Sequence, residues 1–133
     1  MTPIDFVKTW FSNIDNKQFD ANKALMAPNH QFHNPMMPGP ADAEGHLGMM
    51  QMMTSAFEGT HNIDFCVVDG NRVAVRGFWE GKHTGEFEGI PATGNSVRFS
   101  FADFFQIENG QLTNEYLEMN PMAIMQQIGA VPA

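Results

Sequence analysis

Residues 97–107 carry a carboxylate where packing alone would place an apolar side chain. Val97, Phe99, Phe101, Phe105 and Ile107 alternate onto one face of a strand, and Asp103 shares that face. A carboxyl among aromatics must find hydrogen-bond partners or keep its proton, because an isolated buried charge is too costly. Burial also raises its pKa towards the pH at which proton transfer is efficient, so Asp103 is the leading acid/base candidate. The plainer alternative is a carboxyl that hydrogen-bonds a neighbour and does nothing else.

Glu108-Asn109-Gly110-Gln111 contains Asn-Gly, the signal of a two-residue type I′ hairpin. That turn predicts Ile107 opposite Leu112, Phe105 opposite Asn114, Asp103 opposite Tyr116 and Phe101 opposite Glu118. A phenol across from a carboxyl makes a hydrogen-bonded pair, with Asn114, Glu118 and Asn120 extending the polar set on an aromatic face. Such a face lines a pocket, or else it is a sheet end where these groups are merely solvated. His83 has inward parity beyond Trp79 and could serve as base or donor, or simply be a turn histidine. His33 shares a face with Gln31 and could reach a ligand. Trp10, Met50, Met53, Trp79, Phe101 and Phe105 complete the predicted substrate-binding set with His33, Asn114 and Glu118.

Other chemistries have less support. His30 and His33, three apart on a strand, point to opposite faces, and His46 adds no convincing third ligand, so no metal site is expected. Cys66 has the parity opposite to Phe65 and Val67, and no serine sits in a nucleophile elbow. Eleven methionines cluster at 36–37, 49–53 and 119–125. Filling gaps in a core is their usual work, and lining an apolar pocket is compatible with it.

The elements that must position these residues follow from pattern. Thr2-Pro3-Ile4-Asp5 starts a helix over 3–15, with Ile4, Val7, Phe11 and Ile14 on one face and Trp10 beside it. A short helix near 20–26 stops at Pro28, and 29–34 reads as a strand before a Pro-Gly loop. A helix over about 42–57 puts His46, Met49, Met50, Met53 and Phe57 on one stripe. From 61 onward the chain turns to antiparallel sheet, and Asn120-Pro121 opens a last helix that Gly129 ends. Helices first and strands after predict one α+β domain over 1–133, a curved sheet closed over by helices.

A formal charge of −8 makes nucleic acid and anionic membrane poor partners. No run approaches a membrane span, the N-terminus lacks a signal-peptide pattern, and one cysteine rules out an internal disulfide framework. The simplest location is a reducing cytoplasm.

The segment His83-Thr84-Gly85-Glu86-Phe87-Glu88-Gly89-Ile90-Pro91-Ala92-Thr93-Gly94 resembles the loop of SnoaL-like polyketide cyclases, within the nuclear-transport-factor-2-like superfamily. Asp103-Phe104-Phe105, Asn109-Gly110, Gln126-Gln127-Ile128-Gly129, His33-Asn34-Pro35 and Pro38-Gly39-Pro40 are similar to that family as well. The resemblance implies a cone-shaped α+β barrel with a deep apolar pocket for a small hydrophobic ligand, a homodimer or homotetramer, and no cofactor. It implies ring closure by an intramolecular aldol step, with an aspartate acid/base four residues after a tryptophan. Those positions are Asn120 and Tyr116 here. An amide caps a helix about as well as aspartate but takes no proton at neutral pH. Two functions are therefore expected: cofactor-free proton transfer on a hydrophobic carbonyl compound, using Asp103, Tyr116, His83 and Asn120, or silent ligand binding on the same fold.

Overall fold

Thr2 caps the first helix: its hydroxyl accepts from the Asp5 N–H at 3.1 Å, and the Asp5 carboxylate accepts from the Thr2 N–H at 3.4 Å. The computed structural model describes residues 1–132. The chain runs α1 (Pro3–Asp15), α2 (Phe19–Leu25), β1 (Met26–His33), α3 (Ala43–Ala56), β2 (Phe57–Asp69), β3 (Arg72–His83), β4 (Ser96–Glu108), β5 (Gln111–Met119) and α4 (Pro121–Gln127). The buried stripe of α1 is Phe6, Val7, Trp10 and Phe11, while Ile4 is exposed. The two aromatics, with more surface to bury, set the helix's rotation.

The five strands form one sheet in the order β1-β5-β4-β3-β2. β2 to β5 make the predicted antiparallel meander, but β1 lies parallel to β5, so the sheet is mixed rather than wholly antiparallel. A parallel neighbour needs a long crossover, and everything from α3 to β4 supplies it. The sheet does not close into a barrel. β1 and β2 remain its edges, and α1 and α3 cover the concave face between them.

Three shifts in register bend the sheet. One lies between Met26 and Gln31 of β1, one between Ile63 and Phe65 of β2, and one between Gln106 and Ile107 of β4. The Asn109-Gly110 turn forms as predicted, with φ of 53° and 74°, and Ile107 does face Leu112. The next pair, however, is Gln106 with Asn114, leaving Thr113 as an extra residue whose hydroxyl donates to the Gln106 carbonyl at 3.1 Å. Beyond this bulge Asp103 faces Leu117, Phe104 faces Tyr116 and Phe105 faces Glu115. Every residue of β5 past the bulge is therefore on the opposite face from the one an unbulged hairpin dictates.

Two apolar clusters flank the concave face. One joins Phe6, Trp10, Phe11 and Met50 to Val73, Phe101 and Phe105, and the other joins Phe57, Phe87 and Trp79 to Ile124 and Ile128. Gly77 lets the first cluster close: a Cβ there would lie 2.3 Å from the Asn62 carbonyl oxygen and 3.0 Å from the Phe101 ring. Backbone cannot retreat from so short a contact. Gly77→Ala is expected to cost about 1–3 kcal/mol, the usual range for overpacking, read as a lower urea midpoint with an unchanged slope.

Candidate functional site

The concave sheet face, α1 and α3 enclose a cavity of about 470 Å³. Its walls are aromatic and thioether: Phe11, Phe57, Trp79, Phe99, Phe101, Met49, Met50, Met53 and Met119. Trp79 and Phe99 stack at 5.7 Å, so part of the wall is a flat double layer. Polar side chains form two separate groups. The deep one is Asp103, Glu115 and His46, each no more than 3% exposed, and the one nearer solvent is Asp15 and His61.

The bulge at Thr113 creates the deep group. By turning Glu115 inward it places that carboxyl diagonally across from Asp103, within hydrogen-bonding reach. Burial raises the Asp103 pKa well above the ordinary carboxylate range, and the neighbouring Glu115 charge adds to the shift, with the Phe104 N–H opposing it weakly. Glu115 is pushed up to about 7 by burial, less a counteracting hydrogen bond from Asp103. The pair thus holds at least one proton at neutral pH. Asp103 Oδ1 and Glu115 Oε1 are buried and without a hydrogen-bond partner among the described residues. An unpartnered carboxyl oxygen on a cavity wall can accept from a ligand's donor or, where it carries the proton, donate to a ligand's acceptor.

His46 connects the pair to β1. Its Nε2 lies 3.6 Å from Glu115 Oε1, its Nδ1 is 2.8 Å from His30 Nε2, and its ring stacks on Phe32 at 3.7 Å. Burial holds His46 down to about 2 and His30 down to about 4, so both rings are neutral at physiological pH.

Of the predicted site residues, Asp103, Met50, Met53, Trp79 and Phe101 line the cavity. Phe105 and Trp10 are fully buried in the adjoining core, where Trp10 meets Phe105 edge-on at 6.5 Å. Four residues stand elsewhere because of the bulge. Tyr116 is 42% exposed on the outer face, where it stacks on His33 at 4.2 Å, and Asn114 and Glu118 share its parity. The predicted Asp103–Tyr116 pair is therefore corrected to Asp103–Glu115. Asn120 is exposed and spends its side chain on the Met122 N–H at 3.1 Å as the cap of α4, away from the cavity. His83 is buried behind Phe57, where its Nδ1 pairs with the Thr93 hydroxyl at 2.9 Å and ties down the loop after β3.

Sequence reasoning missed Glu115, His46 and the Asp15–His61 pair. Parity along β2 could have found His61, which falls on the same face as Ile63. Nothing local joins it to Asp15, forty-six positions away.

An open α+β cone whose concave face ends in a proton-holding carboxyl pair is the class that fold and site define. The family model for SnoaL-like polyketide cyclases matches residues 5–128, and the chain belongs to that family. Among solved structures it is similar to IdmH from Streptomyces antibioticus, a candidate polyketide cyclase, with a TM-score of 0.84 and 23% identity over 97% of this chain and 99% of that one. It is also similar to AclR from Streptomyces galilaeus, a candidate hydroxylase, with TM-score 0.89 and 15% identity over 98% and 83%. A SnoaL-like polyketide cyclase from Agrobacterium tumefaciens gives 0.78 and 19% over 97% and 99%. At such identities these likenesses establish the fold alone. No curated protein matches the chain.

The raised carboxyls make stability depend on pH in a way that one substitution isolates. An unfolded glutamate titrates near 4.5, whereas Glu115 keeps its proton to about 7 in the fold. Between those values the native state binds more protons than the unfolded chain, so this contribution is lost as pH rises. His30 and His46 work oppositely, costing stability as pH falls below 6.5, where unfolded histidine becomes charged. Glu115→Gln keeps the histidine part, removes the glutamate part and, by removing the Glu115 charge, lessens the upward shift of Asp103, which acts in the same direction. Relative to the parent it should gain roughly 2–3 kcal/mol as pH rises from 4.5 to 7, measured by urea unfolding. Parallel curves for the two proteins would show that Glu115 is not held protonated.

Proposed function

We propose that the cavity binds a hydrophobic carbonyl compound and that Asp103 and Glu115 carry cofactor-free proton transfer on it, closing a ring by an intramolecular aldol step, isomerising or dehydrating. One observation carries this reading: two buried carboxyls, Asp103 and Glu115, side by side at the end of an otherwise aromatic and methionine-lined space, where burial raises both pKa values. A carbonyl oxygen seated against the pair receives a hydrogen bond from the protonated member, and that bond strengthens as negative charge develops on the oxygen. Low local dielectric makes the interaction stronger than it would be in water. His46 stands 3.6 Å from Glu115 Oε1 with a neutral ring, so it adds no charge to the site. In this reading Asn120 caps α4 and the chemistry does not pass through it. The proposed setting is a reducing cytoplasm, suited to a chain with one cysteine.

Silent ligand binding remains the second reading, favoured by the amide at position 120. Deuterium exchange at the acidic carbon of 2-tetralone, followed by proton NMR in heavy water, separates the two. Acceleration by the wild-type protein, reduced by about 10²-fold or more in Asp103→Asn and Glu115→Gln, is the outcome the enzyme reading requires. Binding of 2-naphthol, an apolar enolate mimic, without any acceleration of exchange would leave a binding protein.

We further propose that a second copy covers the outer sheet face, where Phe65, Phe104 and Tyr116 are 55%, 45% and 42% exposed and Val67 joins them. Light scattering should give a dimer or tetramer for the wild type and a smaller species for Phe104→Asp. A monomeric wild type would exclude this arrangement.

A further inference from the structure

A protonated carboxyl pair can steady an enolate, but something must first take the proton from carbon. The second polar group of the cavity is built for that work. Asp15 Oδ1 lies 2.7 Å from His61 Nδ1, and Asp15 Oδ2 accepts the His61 backbone N–H at 2.9 Å. Both carboxylate oxygens are thus committed to one residue, fixing its ring as well as its backbone. An ionised carboxylate at Nδ1 selects the tautomer with hydrogen there, which makes Nε2 a lone-pair nitrogen. Among the described residues Nε2 has no hydrogen-bond partner.

The ring cannot swing away. Phe11 stacks on one face at 4.7 Å and 18°, and Phe101 meets it edge-on at 5.8 Å. Asp15 also stands where helix physics disfavours it: it is the last residue of α1, and a carboxylate at a helix C-terminus opposes the helix dipole. Its two hydrogen bonds with His61 supply a reason for its place that the helix does not. Both residues line the cavity, and the pair is partly open, with side chains 18% and 15% exposed. A proton accepted at this end can therefore leave to water.

We infer that His61 is the general base of this cavity, with Asp15 as its positioning residue and the Asp103–Glu115 pair as the acid at the opposite station. The inference rests on the proton-transfer reading above. Phe101 joins the two stations: its ring edge meets His61, and it precedes Asp103 by two residues on the same face, a run of about 6–7 Å. The substrate class is a planar apolar ketone laid across Phe101, with an activated C–H at His61 and a carbonyl oxygen at the carboxyl pair. In the aldol case Nε2 takes the proton as the C–H bond breaks. The electron pair of that C–H bond forms the new C–C bond to the second carbonyl carbon, whose C=O π bond breaks towards oxygen, and that oxygen takes a proton from the Asp103–Glu115 pair. His61 then releases its proton to water, and the pair regains one from water, so the enzyme is restored with no net change.

The test uses the full chain, with 2-tetralone exchange for proton removal and 2-naphthol fluorescence for binding. His61→Ala should lose exchange by 10²-fold or more while holding 2-naphthol within about threefold of wild type, and added imidazole should restore part of the rate. Rescue by a diffusing base is something a merely structural histidine would not permit. Asp15→Asn should slow exchange about tenfold and move the His61 nitrogen NMR signals away from the single Nδ1–H tautomer, with Asp15→Glu restoring both. If His61→Ala folds, binds 2-naphthol and keeps its exchange rate while Glu115→Gln loses it, the inference about His61 is overturned and the reading of the carboxyl pair stands. If His61→Ala loses exchange and the carboxyl variants do not, His61 is the base and the carboxyl reading fails. Binding without exchange by the wild type overturns both.

Discussion

Thr113 is one residue more than the β4–β5 ladder can pair, and the site depends on that excess. Without it the face of β5 that meets Asp103 would carry Asn114, Tyr116 and Glu118. With it the face carries Glu115, Leu117 and Met119, all three of which line the cavity. A single unpaired residue thus exchanges a phenol for a second carboxyl and a solvated edge for an apolar wall. The Thr113 hydroxyl, bonded to the Gln106 carbonyl, satisfies the acceptor that the broken ladder leaves open.

Burying two carboxyls side by side costs stability, and the arrangement around them limits the cost. They share a proton instead of ionising together, and the neutral ring of His46 approaches without adding charge. The unpartnered atoms Asp103 Oδ1 and Glu115 Oε1 remain as an unmet demand for hydrogen bonds. A ligand hydroxyl would meet that demand at an unprotonated oxygen, and a ligand carbonyl would meet it only opposite the oxygen that carries the proton. Asp15 and His61 stand closer to water, and there both carboxylate oxygens are spent on one residue, holding its ring and its backbone together.

At position 120 an amide serves the fold well. Asn120 begins α4, and its side chain caps the Met122 N–H as an aspartate would. Asp103, Glu115, Asp15 and His61 stand on β4, β5, the end of α1 and the first half of β2. These elements meet at the concave face, which is why the four titratable side chains line one cavity.

The sequence by itself determined the α+β class, the four helices, the Asn-Gly hairpin, the family and the placement of Asp103 on an aromatic face. The family is legible through the resemblance of residues 83–94, and the rest through local physics: caps, turn conformations, and periods of 3.6 and 2 residues that need only a few neighbours. Tertiary structure alone decided the parallel pairing of β1 with β5, the outward turn of Tyr116, the removal of His83 behind Phe57, and the partners Glu115 and Asp15. Strand direction and bulge position depend on how distant segments pack, and a one-residue slip reverses a face without altering the local pattern. The carboxyl pair was thus half legible: one member is announced by its aromatic neighbours, while the other faces it only because the chain carries one residue too many.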